Sequence, residues 1–278
     1  MKSIIVGTDF SEGSYVALEL AVDVANRLQC GILLVWVKRE KMLFTGDQLD
    51  MLTKLAKEKL DELCAKYNPL MKHGKVQAKI LNGKVSTAIA EAAQRELSPM
   101  IIIGTNGASG FEKYFIGSQA ARIVQDSPCP VLTMRQGYDF HKRLERIVVP
   151  IRVNPNSRQK VPPAAAMARF FDSEIHILGL MDSPDQARQL RAYMVQTAEF
   201  LSSEGVKFKS VVKKYSNYSD AVLGYADSIK ADLVVINTEQ DRLLSQLFLG
   251  TNAQQIVHNS QIPVFCVHPA DIFYLSKT

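Results

Sequence analysis

The residues best suited to do chemistry lie in the stretch 101–134, IIIGTNGASGFEKYFIGSQAARIVQDSPCPVLTM. Gly104 closes an apolar run, Gly107 follows it, and Gly117 and Ser118 stand where a helix is predicted to begin. Glycines let the backbone approach a ligand closely because they have no Cβ. A helix start, which Ser118 is well suited to cap, offers unpaired N–H groups and partial positive charge. Together these features predict a seat for a phosphate chain.

The same residues also have a simpler interpretation. Gly104 and Gly107 could only supply turn conformations, and Gly117 with Ser118 could form an ordinary helix start. The context favours the phosphate interpretation, because the loop follows one apolar strand and precedes a helix and a second strand.

The pattern Gly-x2-Gly-x9-Gly-Ser, which is followed by SPCPVL, resembles the nucleotide-binding signature of the universal stress protein family. The resemblance implies that the ligand is an adenine nucleotide, ATP. It also implies that the three glycines, Ser118 and the adjacent Gln119 surround the phosphates. A bound triphosphate usually carries Mg²⁺, and the sequence leaves the presence of this metal open.

The residues directly after strand one are implied to form the other end of the nucleotide site. In the family, the acidic residue after this strand contacts the adenine side of ATP, which here implies Asp9 with its neighbours Gly7 and Thr8. Backbone after strand two, near Val37, would also contribute. Many family members have proline where this chain has Gly7.

Asp9 also has a purely structural interpretation. Asp9 and Glu12 have the spacing of a capping box, which predicts Asp9 as the N-cap of the first helix. Asp9 therefore has two roles that the sequence alone does not separate.

Short apolar runs alternate with segments of helical periodicity along the first half, in the order β-α-β-α-β-α-β-α-β. The predicted strands are 3–8, 31–37, 76–81, 100–104 and 130–134. Such alternation implies parallel pairing, because each parallel connection needs a crossover. We predict an α/β fold, a doubly wound open sheet of five strands related to the flavodoxin and Rossmann folds.

Ligands of such sheets bind at the carboxyl ends of the strands, where the winding direction reverses. In the flavodoxin-like strand order expected for the family, strands one and four flank that point or adjoin it. The topology therefore brings Asp9 and Gly104 to one crevice.

The second half of the chain repeats the first. Ile147 follows Ile4 by 143 positions, and Gly250 follows Gly117 by 133. The segment GYDFHKRL reads as a polar linker between the copies. We predict two tandem domains, 1–137 and 144–270, which arose by internal duplication.

The second copy does not keep the motif. Three residues differ: Asn237 replaces Gly104, Gln240 replaces Gly107, and Arg152 replaces Asp9. Because a side chain at position 240 would crowd a phosphate, this copy is predicted not to bind ATP in the same way. A different anion near Arg152 and Thr251 remains an open alternative.

The composition is that of an ordinary globular protein, with 278 residues, 47% apolar, 22% charged and a net charge of +5. No block of basic and aromatic residues predicts nucleic-acid binding. The cysteines and histidines form no metal-binding spacing. The sequence has no signal-like or membrane-spanning run, so we expect a cytoplasmic protein without membrane contact.

Family members commonly pair through their last strand, edge to edge, which removes an exposed sheet edge. The resemblance implies that the two copies pair within the chain as a pseudo-dimer, through 131–134 and 264–267. Further association into a homodimer stays open, and a protein partner is unknown.

Three functional hypotheses follow. The leading one is a stress-response module that binds ATP in the first domain and regulates contacts with partners. The alternatives are a slow ATPase or self-phosphorylating protein and a scaffold without nucleotide. The sequence contains no Walker A lysine motif and no Gly-x-Ser-x-Gly elbow, which favours a non-enzymatic role.

Overall fold

The structure, a computed structural model, describes residues 2–38, 46–105, 118–135, 137–138, 144–238 and 251–268. The chain divides into two compact units, Met1–Gly137 and Tyr138–Thr278. Within the described residues, each unit has five strands that alternate with helices.

In the part of the chain that the structure describes, the regular elements of the first unit are β1 (Ser3–Gly7), α1 (Glu12–Leu28), β2 (Gly31–Lys38), α2 (Gly46–Tyr67), β3 (Val76–Asn82), α3 (Val85–Arg95), β4 (Ile101–Gly104), α4 (Ser118–Asp126) and β5 (Val131–Met134). The strands run parallel in the order β3-β2-β1-β4-β5. The winding reverses between β1 and β4, which confirms the doubly wound sheet. The order differs from that of flavodoxin, 2-1-3-4-5, because β1 pairs directly with β4.

The central strands of the first unit are buried on both faces. Ile4, Ile5 and Val6 of β1 are 0% exposed, as are Ile101 and Ile102 of β4. Helices cover both faces of a doubly wound sheet, so its central strands have no polar side. The continuous apolar runs in the sequence have this physical cause.

The regular elements of the second unit, again within the described residues, are β6 (Arg146–Ile151), α5 (Val161–Phe171), β7 (Glu174–Met181), α6 (Ala187–Ser203), β8 (Phe208–Lys214), α7 (Tyr218–Ser228), β9 (Leu233–Asn237), α8 (Thr251–Asn259) and β10 (Val264–Val267). Its strands are parallel in the order β8-β7-β6-β9-β10. This order matches β3-β2-β1-β4-β5 of the first unit strand by strand. The internal repeat is therefore a repeat of the fold. Edge-to-edge pairing of the copies stays a prediction from the resemblance.

The two units differ in the connection after their first strand. In the first unit, α1 begins at Glu12 with Ser11 as its N-cap. In the second unit, a 3-10 turn, Pro155–Arg158, precedes α5, which begins at Val161 with proline in its first turn. Proline in a helix interior removes a hydrogen bond and clashes with the preceding turn, whereas it is tolerated in the first turn. A helix that contains Pro162 and Pro163 therefore begins close to them, later than α1 begins in the first unit. The delay changes what lies at the carboxyl end of the sheet.

No helix in the described ranges combines the length and the apolar character needed to cross a membrane.

Candidate functional site

The carboxyl ends of β1 and β4 form the crevice of the first unit. The strands pair in register at Ile5 with Ile101 and at Val6 with Ile102. Asp9 follows the end of β1 and Gly104 ends β4, so both lie at the same edge of the sheet.

Thr8 joins the end of β1 to the first turn of α1. Its backbone N–H donates to the carbonyl of Val35 over 2.9 Å, which extends the contact between β1 and β2. Its buried hydroxyl lies 3.0 Å from the hydroxyl of Ser14 and accepts a 3.1 Å hydrogen bond from the N–H of Phe10. Thr8 is therefore a fixed part of the crevice wall.

Asp9 is exposed at the rim and shapes the turn into α1. Its Oδ1 accepts hydrogen bonds from the N–H and the hydroxyl of Ser11, at 3.0 Å and 2.5 Å. Ser11 in turn caps the helix, because its hydroxyl accepts from the N–H of Ser14 at 3.3 Å. The alternative in which Asp9 itself is the N-cap is therefore wrong: Asp9 holds the residue that caps.

Phe10 has a left-handed backbone with φ of 63°, which is uncommon for a bulky residue. Its ring stacks on Trp36, with 6.3 Å between ring centroids, and the Nζ of Lys59 lies 5.3 Å from the Phe10 centroid. These contacts hold the strained turn that positions Asp9. The sequence alone does not single out Phe10 and Trp36, since no local pattern predicts a left-handed backbone at Phe10.

Val37 lies beyond the last pair between β1 and β2, Gly7 with Val35. The carbonyl of Lys38 accepts a hydrogen bond from the N–H of Gly83, on the β3 side. Backbone groups alternate in direction along a strand, so those of Val37 and Val35 point toward the β1 side. Since β1 has ended there, the backbone of Val37 faces the crevice.

Gly104 is a glycine for a packing reason. A Cβ at this position would lie 2.7 Å from the carbonyl carbon and 2.8 Å from the oxygen of Gly13 in α1. Real Cβ atoms do not approach backbone so closely, so β4 and α1 can meet only over a glycine. Gly104 has no positive φ, and the turn-forming interpretation therefore does not apply to it.

Gly7 is less constrained. A Cβ there would lie 3.0 Å from Cδ1 of Ile89 and 3.3 Å from Cγ2 of Ile103, both of them side-chain atoms. The second unit has Pro150 at the equivalent position, 143 residues later. The site of Gly7 is therefore narrow, and the corresponding site of the second unit accommodates a ring.

The segment predicted to hold the phosphates is described only in part. Ser118 is the first residue of α4 rather than a residue before it, and its side chain lies outside the described residues. Gln119 is the second residue of α4, and its buried Oε1 finds no donor among the described residues. Gly107 and Gly117 lie outside the described residues.

In the second unit, different side chains occupy the equivalent crevice. Lys160 and Asn237 stand at the places of Ala17 and Gly104, 143 and 133 positions later. The Nζ of Lys160 donates to the Oδ1 of Asn237 at 2.8 Å and to the carbonyl of Ser157 at 2.7 Å. The second crevice is thus partly filled by protein groups, and one of them is a buried cation.

The described residues contain no cluster of three or more His, Cys, Asp or Glu side chains that could bind a metal. In the first unit, the crevice offers a carboxylate, hydroxyls, strand-end backbone and a helix start. Groups of these kinds can bind and orient a polar ligand.

The sequence model of the universal stress protein family matches residues 1–135 and 143–268. The chain therefore belongs to the universal stress protein family, with two copies of the family's domain in tandem.

Two relatives each match about half of this chain. A universal stress protein of Methanocaldococcus jannaschii is 26% identical over 141 residues, which cover 49% of this chain and 82% of the relative. One from Thermus aquaticus is 27% identical over 135 residues, or 48% of this chain and 98% of the relative.

Two solved structures share the fold along nearly the whole chain. A universal stress protein from Archaeoglobus fulgidus has a TM-score of 0.78 at 20% identity, with 96% of each chain covered. A protein of unknown function from Pseudomonas aeruginosa has a TM-score of 0.68 at 17% identity, and the match covers 98% of this chain and 94% of that one. At these identities the likeness concerns the fold.

Proposed function

We propose that this protein is a stress-response module that binds ATP in the crevice of its first unit and uses nucleotide occupancy to regulate contacts with a protein partner. The observation that carries the proposal is the meeting of Asp9, the Val37 backbone and Gly104 at one edge of the sheet, where the winding reverses. Doubly wound sheets bind their ligands at that point.

The residue chemistry agrees with an adenine nucleotide. A carboxylate such as Asp9 accepts hydrogen bonds from the amino group or ribose hydroxyls of a nucleoside. The N-terminus of α4 attracts the phosphates through its partial positive charge. Gly107 and Gly117 would let the loop backbone approach the phosphates.

The test is calorimetric titration of the full chain with ATP and Mg²⁺. We expect one ATP per chain. Asp9→Asn should lower the affinity by about tenfold, which corresponds to ~1.4 kcal/mol. Asparagine keeps an oxygen for Ser11 but loses the charge, so the turn should survive. Glu12→Gln is the matched control, because it removes a carboxylate from the same turn and should leave the affinity nearly unchanged.

A second variant separates the two units. Gly107→Gln copies Gln240 of the second unit and should abolish binding. Gly224→Gln adds the same side chain where no atom lies within 4 Å of a Cβ, and should bind as the wild type does. Binding of two ATP per chain would contradict the assignment to the first unit alone.

The same titration, together with an assay of phosphate release, tests the two alternative functions, a slow ATPase and a scaffold. Release of phosphate from ATP by the wild type, abolished in Ser118→Ala, would make the protein a slow ATPase. Absence of any ATP binding would make it a scaffold and would leave Gly104 with its packing role alone.

A further inference from the structure

The strand β8 forms the outer edge of the sheet in the second unit. Among the described residues of this unit, β7 is its only hydrogen-bonded neighbour. The carbonyl of Lys207 accepts from β7, and the N–H of Tyr215 donates to it, so the odd-numbered residues face β7. Backbone groups alternate in direction along a strand, so those of the even-numbered residues point outward. These residues are Phe208, Ser210, Val212 and Lys214.

The outward backbone groups of β8 have no hydrogen-bond partner in the described part of the chain. The corresponding strand of the first unit, β3, is protected at its start. The Oδ1 of Asn68 accepts from the N–H of Val76 at 2.9 Å, and its Nδ2 donates to the Val76 carbonyl at 3.1 Å. The Asn68 amide thus does what a neighbouring strand would do. Val76 begins β3 as Phe208 begins β8, and Phe208 has no such amide beside it among the described residues.

A shorter connection is the cause of this difference. In the first unit, α2 has 22 residues, and the 3-10 turn Asn68–Leu70 follows it. In the second unit, α6 has 17 residues, and the chain turns shortly before β8 at Gly205, which has φ of 67°. The segment that carries the protecting amide is therefore missing from the second unit, and the edge of β8 stays open.

The open edge is basic. Three lysines lie in β8, and the first of them, Lys209, forms an ion pair of 3.0 Å with Glu174. Lys213 and Lys214 are exposed and form no ion pair with any described residue. The Nζ of Lys213 lies 5.1 Å from the ring centroid of Tyr225, on the same face as Lys209. The carboxyl end of β8 therefore carries two positive charges, one on each face of the sheet, because successive side chains alternate.

These charges distinguish between the possible occupants of the edge. A second molecule of this chain would bring lysine against lysine, since antiparallel pairing of two β8 strands about Val211 places Lys209 opposite Lys213. Like charges in opposite positions destabilise a strand pair, and edge lysines oppose such self-pairing. An acidic strand has the complementary charge. A peptide also supplies both the donors and the acceptors that a strand edge needs, whereas a nucleic-acid phosphate only accepts.

The side chains of β8 also predict a pattern for the added strand. Val212 is 50% exposed and lies on the face opposite to that of Lys213. Side chains of neighbouring strands pack against each other when they share a face. Acidic residues on the Lys213 face and apolar residues on the Val212 face would therefore alternate along the partner.

We propose that the outer edge of β8 binds an extended segment of a partner protein as an additional strand, and that this segment alternates acidic and apolar residues. Its backbone pairs with the outward groups of β8, and its carboxylates lie opposite Lys213. The edge belongs to the second unit, so this inference does not depend on ATP binding in the first.

The test measures fluorescence anisotropy of a labelled peptide that alternates glutamate and valine and is as long as β8. The full chain, without ATP, should bind this peptide saturably. A peptide with lysine in place of glutamate should not bind. Absence of binding to the glutamate peptide would overturn the proposal.

Ser210→Pro tests the backbone pairing. It removes an N–H that points outward, and edge strands tolerate proline where the N–H faces solvent. The affinity for the glutamate peptide should fall by about tenfold, because a backbone hydrogen bond is lost. Ser210→Ala is the matched control, since it keeps the N–H and should bind as the wild type does. An unchanged affinity in folded Ser210→Pro would contradict the proposal.

A charge exchange tests the side chains and does not require proline to be tolerated. Lys213→Glu combined with Lys214→Glu should lose the glutamate peptide and gain the lysine peptide. Lys54→Glu combined with Lys57→Glu is the control, because these exposed lysines lie on α2 and the net charge changes equally. The control should bind the glutamate peptide as the wild type does, and equal losses in both double variants would reject a specific site on β8.

Two further results would assign the edge to another occupant and so overturn the proposal. One is binding of single-stranded DNA that the Lys213 and Lys214 exchange abolishes and Ser210→Pro leaves intact. The other is a dimer of the wild-type chain in sedimentation velocity that Ser210→Pro dissociates. We expect neither, because the edge needs hydrogen-bond acceptors as well as donors and because its lysines repel a second molecule of the chain.

Discussion

The α-carbon of Gly104 faces the backbone of Gly13 so closely that a Cβ on Gly104 would lie 2.7 Å from the Gly13 carbonyl carbon. The two residues are far apart in the sequence, yet their contact sets how near the first turn of α1 lies to the end of β4. In the second unit, Asn237 takes the place of Gly104, and a 3-10 turn replaces the first turn of the helix. The two crevices differ because of this contact.

The Gly104 contact predicts a stability effect. Gly104→Ala should lower the free energy of unfolding by about 1–3 kcal/mol, since the methyl group meets backbone that cannot move aside. Urea unfolding followed by far-UV circular dichroism measures the change. Gly224→Ala is the control, because a Cβ at this helical position meets no atom within 4 Å and should be neutral or stabilising. Equal losses in both variants would contradict the packing role of Gly104.

The cap of α1 predicts a second effect. Ser11→Ala removes the hydroxyl that accepts from Ser14 and donates to Asp9, so stability should fall by about 1 kcal/mol. The affinity for ATP should fall too, because the orientation of Asp9 is lost. Ser202→Ala, an exposed position within α6, should change neither quantity. Thermal unfolding and calorimetric titration measure both effects, and an unchanged affinity in Ser11→Ala would separate Asp9 from the site.

His176 predicts a pH effect on stability. Burial lowers the pKa of His176, and this outweighs the opposing influence of Glu174, whose Oε1 lies 3.0 Å from Nε2. Lys209 and Arg146 lower the pKa further, and the Tyr225 hydroxyl lies 3.0 Å from Nδ1. The folded state therefore binds this proton more weakly than the unfolded state, so the contribution of His176 is present above a pH of about 6.5 and is lost as the pH falls below it.

We therefore expect the free energy of unfolding to decrease as the pH falls from about 7 to about 5. His176→Gln should flatten this decrease. His73→Gln, at an exposed position in the first unit, should keep the wild-type profile. Urea unfolding at a series of pH values measures the slope, and equal slopes in wild type and His176→Gln would contradict the prediction.

The cysteines predict a selective reaction. Burial raises the pKa of the Cys30 thiol to about 11, whereas Cys64 is partly exposed and has a pKa raised by burial and by Asp61. Because thiolate and access both control alkylation, iodoacetamide at pH 8 should modify Cys64 first in the folded protein. Mass spectrometry of peptides identifies the site. Cys64→Ser should remove the fast reaction and Cys30→Ser should not; equal rates at the two sites would oppose this expectation.

The sequence was sufficient to predict those features that depend on residues close together in the chain. Alternating apolar runs and helical periods predicted both sheets, because a strand covered on two faces must be apolar throughout. The strand order that the family resemblance implies then placed Asp9 and Gly104 at one edge of the first sheet. The repeat was visible because both copies keep these runs at nearly constant offsets.

The sequence was insufficient where two distant segments meet. It offered Asp9 as the helix cap, whereas the structure uses Ser11, since the choice depends on which oxygen reaches the N–H of Ser14. For the second crevice, the sequence showed only that the residues of the motif are replaced. The hydrogen bond between Lys160 and Asn237 spans 77 positions, and no local pattern predicts it.

The sequence by itself determined the fold class, the tandem repeat and the family, because each depends on patterns that recur along the chain. The tertiary structure alone decided that Gly104 is required by packing against Gly13, that Phe10 is left-handed, and that Lys160 is a buried cation. These properties depend on which atoms lie within a few ångströms of one another, and that distance is set by the folded chain as a whole.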